Sequence, residues 1–293
     1  MKRLAAAVAI LALSLPLAHA EPEPAPSRRT RKLLAAGGVG LIHAAYATWS
    51  YFAWYRGSNP RDFHYEIGPA FGLRSYSGGA DKLGHFWANY TLARGTSRLL
   101  ADAGWDPVGS SLVAAGLTEV SFLLTEIQDG YTVGFDRDDL VANVAGAMFA
   151  VTMENVPELD RLIDFRLEYF PSRDYRRRAT DGNLSHKLDI AQDYSGQSYM
   201  LALHLGELPR MGWARYVDVV TGFQTRNYDP APEDPHAEHR QILYVGLALD
   251  AQAVLRRVFC PTPGRRIAEG VFEVVSLPFT TAKLPVATSG FVP

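Results

Sequence analysis

Three short polar signatures interrupt otherwise apolar stretches: Asp81-Lys82-Leu83-Gly84-His85-Phe86, Glu126-Ile127-Gln128-Asp129 and Asp139-Leu140-Val141-Ala142-Asn143-Val144-Ala145-Gly146. Ionisable groups among apolar helices are costly unless they pair with one another or bind something. The residue types suit acid–base chemistry: His85 as general acid or base, Asp81 or Asp139 orienting it, Glu126 assisting. They also suit a divalent ion, with His85, Glu126 and Asp129 as candidate ligands, although an imidazole and carboxylates do not single out one metal. Lys82, Asn89, Asp129, Asp139, Asn143 and Gly146 complete the candidate binding or network set. The same residues can equally form a closed hydrogen-bond network, with Lys82 neutralising a carboxylate and Asn143 cross-linking neighbours. The chain has no Gly-x-Ser-x-Gly nucleophile and no Gly-rich phosphate loop, which argues against the hydrolases and nucleotide enzymes built on them.

Helices must position these groups. At helical spacing Asp81, His85, Asn89, Leu92 and Thr96 share a face. Arg94, Arg98 and Asp102 make that helix a packed one rather than a simple membrane span. Residues 109–126 form a second apolar helix, with Glu119 and Glu126 on one face and Asp129-Gly130 closing it. A third runs from Asp138-Asp139 to about Met153, with Asp139, Asn143 and Gly146 on one stripe and Ala145-Gly146-Ala147 permitting close approach. Upstream, Leu33 to Tyr55 carries no formal charge and ends in Trp49, Tyr51, Phe52, Trp54 and Tyr55. That segment is a transmembrane candidate with an aromatic belt. Residues 56–80 are a loop folded over the site.

From residue 158 the texture changes. Glu158–Tyr169 has a short amphipathic helical pattern, and 171–178 are polar and basic. The apolar period then switches to two around 199–205, 217–223 and 243–249, with a helix over Ala251–Phe259. Three or four strands are too few for a transmembrane barrel, which needs about eight. The expected fold is mainly α: a bundle of about four apolar helices, some transmembrane, followed by a small C-terminal β-rich region. The divisions are 1–20, a signal peptide; 21–32, a Pro-rich and basic linker; 33–157, a helical, membrane-associated domain; and 158–293, an α+β region.

The signal peptide rests on Lys2-Arg3, the apolar run Leu4–Leu17 and the small-x-small site Ala18-His19-Ala20. It directs the chain to the cell envelope, with the C-terminal region periplasmic. The basic residues Arg28, Arg29, Arg31 and Lys32 beside Leu33 pull the other way, toward the cytoplasm. The residue directly after the cleavage site is Glu21, not a cysteine; the single cysteine, Cys260, reads as a small buried residue. A net charge of −2 over 293 residues gives no basic field for nucleic acid. Membrane lipid or an envelope protein is the expected partner.

The ordered set Asp81-Lys82-x-x-His85-Phe86, Glu126 with Asp129, and Asp139-x-x-x-Asn143-x-x-Gly146 resembles the bacterial envelope proteins of the YfiM type. The pattern is also similar to VanZ-like membrane proteins, with Gln128 and Arg137 near places where those carry a Gln and a basic residue. The resemblance covers residues 80–155. It implies an envelope protein with a polar site between helices, and it implies no settled reaction. The missing lipid-attachment cysteine separates this chain from the YfiM-type lipoproteins. Two functions follow as expectations: an envelope protein whose cluster is structural or binding, or a metal-assisted hydrolase or transferase acting on an envelope lipid or glycan intermediate.

Overall fold

The computed structural model describes residues 26–66, 68–234 and 236–289. The signal peptide and residues 21–25 of the spacer lie outside these residues. The fold is a mixed helix-and-sheet one. Helices α1 (Arg28–Ser50, continued by a wider turn through Tyr55), α2 (Ala80–Asp102), α3 (Pro107–Asp129), α4 (Arg137–Asn155) and α5 (Pro157–Leu162) lead into strand β1 (Ile163–Tyr169). Short helices α6 (Arg173–Arg178) and α7 (Leu184–Leu188) precede β2 (Gln197–His204), β3 (Val217–Arg226) and β4 (Arg240–Leu249). Helices α8 (Ala251–Val258) and α9 (Pro263–Val274) then precede β5 (Val275–Ser276) and β6 (Thr281–Ser289).

Local chemistry sets the helix starts. Asp106 caps α3 by accepting from the Gly109 N–H at 2.8 Å, with Pro107 in the first turn. Asp136 caps α4 through the Asp138 N–H, also at 2.8 Å. Helices α2, α3 and α4 pack against one another, and α1 leans on them more lightly. The closest approach is at Gly146, where an added Cβ would lie 2.2 Å from the Phe86 carbonyl oxygen on α2. The small-residue run read from the sequence therefore permits the α2–α4 contact. A buried ionic network closes the other end of α2. Arg94 donates to Glu154 at 2.9 Å and to the Tyr90 hydroxyl at 2.6 Å, and Arg98 donates to Glu273 of α9 at 2.8 Å.

Several expectations change. Among the described residues, one helix is long and apolar enough to cross a membrane, and it is α3, not Leu33–Tyr55. In α1 the basic first turn and Gly37, Gly38 and Gly40 dilute apolarity. Only Pro157–Leu162 of the expected Glu158–Tyr169 helix is helical. Phe165 and Leu167 alternate there with Asp164, Arg166 and Glu168, and pairing with β2 selects the period of two. Cys260 is exposed, not buried.

The sheet has six strands in the order β5-β1-β2-β3-β4-β6. Its two outermost strands are consecutive in the chain, joined by residues 277–280. Lys283 on β6 donates to Glu168 on β1 at 2.8 Å, although β2, β3 and β4 lie between them. In a flat sheet four strand spacings would hold these strands roughly 19 Å apart. The sheet is therefore rolled, with Lys283, Glu168, Ser198 and Tyr244 on its concave face. That face also holds His204, whose ring bonds Asp218 at 2.9 Å, Asp250 at 3.2 Å and Asp164 at 3.1 Å. Arg166 bridges Asp164 and Asp218 beside it. The convex face of β1 and β2 receives α2: Phe86 packs edge-on to Phe165 at 4.8 Å between ring centres, and Tyr199 packs with Leu83 and Trp87.

Gly146→Ala is expected to destabilise by about 1–3 kcal/mol, since the methyl meets backbone that cannot rotate away. Thermal unfolding of purified protein checks this, with the open Gly116→Ala as a near-neutral control.

Candidate functional site

The three sequence signatures converge on one cluster at the α2–α3–α4 contact. Lys82 is its centre. Its ammonium lies 3.1 Å from Asp81, 2.5 Å from Asp136 and 2.6 Å from Asp139. Lys82 is 7% exposed and Asp139 6%, so these charges balance out of water. Asp136 was not among the sequence candidates. It is the α4 cap, and cap residues read from sequence as helix punctuation rather than as site groups.

A second chain of hydrogen bonds starts at His85. The His85 Nδ1 bonds the Asn143 side-chain oxygen at 2.9 Å, and the Asn89 amide donates to that same oxygen at 2.6 Å. The Asn143 amide donates onward to Glu126 at 3.2 Å. An oxygen accepting twice assigns the Asn143 orientation and makes His85 Nδ1 a donor. His85 Nε2 faces Asp81 and Asp139, each at 3.7 Å. Asn89 and Asn143 are fully buried and Glu126 nearly so. One amide thus joins all three helices.

Two tyrosines outside the three signatures complete the cluster, one from the covering loop and one from the sheet region. Tyr76 donates to Asp81 at 2.5 Å, and Tyr194, from just before β2, donates to its other oxygen at 3.1 Å. Tyr194 belongs to the sheet region, so only the tertiary fold brings it here.

Asp129 accepts from Tyr55 at 2.9 Å. Of the three candidate ligands read from the sequence, only His85 belongs to the grouping that the structure shows here, Asp81, His85 and Asp139, with one donor atom from each within 4.8 Å of the others. The Lys82 ammonium already sits against two of these three residues. An ion there would have to displace it.

The electrostatics follow from burial and neighbours. Burial opposes a charge on His85, but Asp139, Asp81 and Glu126 outweigh it and lift the imidazole to about 9. Burial would also raise Asp81, yet His85, Lys82 and Tyr76 overcome it and hold the carboxyl down to about 2. Asp139 goes the other way: burial, reinforced by the Asp81 charge, pushes it up to about 8. At neutral pH the cluster therefore carries Lys82 and His85 as cations, with Asp81 as the most firmly ionised carboxylate.

His85 rises above its ordinary 6.5, so its contribution is fully present below that pH and lost as pH climbs through about 9. The raised Asp139 works in the same direction, since deprotonating it costs the native state up to about pH 8. The unfolding midpoint should therefore fall between about pH 6.5 and pH 9, and His85→Gln should flatten that fall. A thermal-unfolding series across this range measures it; an unchanged slope in the variant would remove His85 as the cause.

Residues 69–155 match a bacterial envelope family described as predicted periplasmic lipoprotein (DUF2279). The match takes in Tyr76, all of α2, α3 and α4, and every sequence-read site residue from Asp81 to Gly146. The likeness to YfiM-type and VanZ-like proteins rests on the quoted motifs alone. No curated protein and no solved structure matches the chain.

Proposed function

We propose that this is a membrane-associated protein of the bacterial envelope, and that its polar cluster is a charge-compensated network fixing three helices. The observation that carries this reading is the position of Lys82. Its ammonium occupies the space among Asp81, Asp136 and Asp139 that a divalent cation would need. The likeness of residues 69–155 to a periplasmic lipoprotein family supports the envelope setting.

Membrane association rests on α3. Val108, Leu112, Leu117, Val120, Leu124 and Ile127 form an exposed stripe along its length, at helical spacing. An apolar stripe turned away from the protein's own core needs a partner, and hydrocarbon fits these side chains; Glu119, at the edge of the stripe beside Leu112, is half-buried, and burial raises its pKa. The polar cluster lies on the opposite side of the helix, where Glu126 faces Asn143.

A metal-assisted hydrolase or transferase is the second reading. It is favoured by the grouping of Asp81, His85 and Asp139. It requires Lys82 to withdraw from Asp139, after which His85 and the two carboxylates could hold an ion and activate water.

Metal analysis of detergent-purified protein separates the two. The network reading expects no stoichiometric metal and no chelator effect on unfolding. It also expects Lys82→Ala to cost about 3–5 kcal/mol, because three buried carboxylates lose their cation. Lys82→Arg should recover part of that loss. A near-stoichiometric metal that disappears in a folded His85→Ala variant would overturn the network reading in favour of the enzyme.

A further inference from the structure

The rolled sheet carries charge inside. Its concave side holds two ionic groups at the two ends of the roll: Asp164 and Arg166 of β1 with His204 of β2 and Asp218 of β3 at one, and Glu168 of β1 with Lys283 of β6 at the other. In a water-soluble barrel the interior is the apolar side, because that is the surface removed from water. Here the concave side has an apolar middle, Met200, Ala202, Val220, Tyr244 and Ala248, with charges at both ends, and the convex side is apolar as well.

The register shows how continuous that side is. Val219 pairs with Leu247, which pairs with Ala282; Thr221 pairs with Val245, which pairs with Leu284; Val217 pairs with Leu249. These outward residues lie beside one another across β3, β4 and β6. Leu243 is 49% exposed, Leu247 53% and Leu284 65%, where strand leucines of a solvated sheet face would be polar residues. Residues 241–249 contain no Asp, Glu, Lys, Arg or His. Helix α2 covers the convex side over β1, β2 and the near part of β3, and Phe71 of the covering loop packs on Phe223 of β3, leaving Leu243, Leu247 and Leu284 exposed.

From Leu243 to Leu249 the strip runs about 20 Å along the strand, a large part of the roughly 25 Å apolar band of lipid-facing sheets. A rolled sheet also suits lipid in its edges: β5 and β6 are joined by a four-residue connection (277–280), so the roll brings both ends of the sheet together.

We infer that the convex face of β3, β4 and β6 is a second lipid-contacting surface, seated against the hydrocarbon of an envelope membrane. The inference rests on the membrane association proposed above and extends it from one helix to the sheet. The two concave ionic groups then serve the purpose that solvent serves elsewhere: they satisfy the charges while the outside stays apolar.

The test uses the full chain in a Cys260→Ser background, which removes the exposed native thiol. Single cysteines at Leu247→Cys, Leu284→Cys, Val120→Cys and Asp234→Cys are labelled with an environment-sensitive fluorophore. The proteins are reconstituted into phosphatidylcholine–phosphatidylglycerol vesicles carrying doxyl groups on the acyl chains, with iodide as the aqueous quencher. The expected result is acyl-chain quenching at 247 and 284 comparable with that at 120 and several-fold above that at 234. Quenching at 120 with iodide access at 247 and 284 would overturn the sheet surface and leave the helix reading intact. Labels at 247 and 284 shielded from both quenchers would replace lipid by a protein contact. Iodide access at all four positions would remove both readings.

Discussion

A single ammonium buried among three carboxylates constrains the rest of the helical region. Lys82 reaches Asp81 on its own helix and Asp136 and Asp139 at the start of α4. A charge in that setting is stable only while its partners stay in place, so it locks the first turn of α4 against the first turn of α2. That lock brings the two helices together where Gly146 leaves room for the Phe86 carbonyl. One turn further in, Asn143 meets His85, Asn89 and Glu126, and α3 joins the assembly through a single amide. Tyr76 and Tyr194 then close Asp81 from above and tie the loop and the sheet region to the same carboxylate.

Three places share one pattern: charge is buried or half-buried and matched, while apolar side chains face outward as well as into the core. The Lys82 cluster does this between helices. Arg94 and Arg98 do it with Glu154 and Glu273 at the far end of α2. His204 and Arg166 do it with Asp164, Asp218 and Asp250 inside the rolled sheet. The apolar cluster of Met200, Ala202, Val220, Tyr244 and Ala248 separates the two polar ends of that roll. Such an arrangement is costly in water, where an apolar exterior gains nothing, and is stable beside hydrocarbon.

The candidate site was largely legible in the sequence because its residues recur at helical spacing on helices with clear boundaries. Asp81 with His85 and Asn89, and Asp139 with Asn143 and Gly146, lie on single helix faces by geometry alone. Glu126 is placed by the helix that Asp129-Gly130 closes. The contact of Asp129 with Tyr55 was not legible, because Tyr55 comes from the end of α1 and no spacing along the chain announces that contact. Asp136 looked like punctuation because its capping role uses only one of its two oxygens; the other reaches Lys82.

By itself the sequence determined the three helices of the site, the faces they turn to one another, the loop above them, and the period-two strands around 199–205, 217–223 and 243–249. These are local properties, carried by capping residues and by side-chain periodicity over a few turns. Only the tertiary structure decided that Ile163–Tyr169 is a strand, that six strands form one sheet and that the sheet rolls with its charges inward. Those outcomes depend on pairing between residues far apart, such as Glu168 with Lys283 and Asp164 with His204, and on which of two alternating faces becomes concave. Alternation in the sequence shows that a strand has two unlike faces, but the direction each face points is set by the strands beside it.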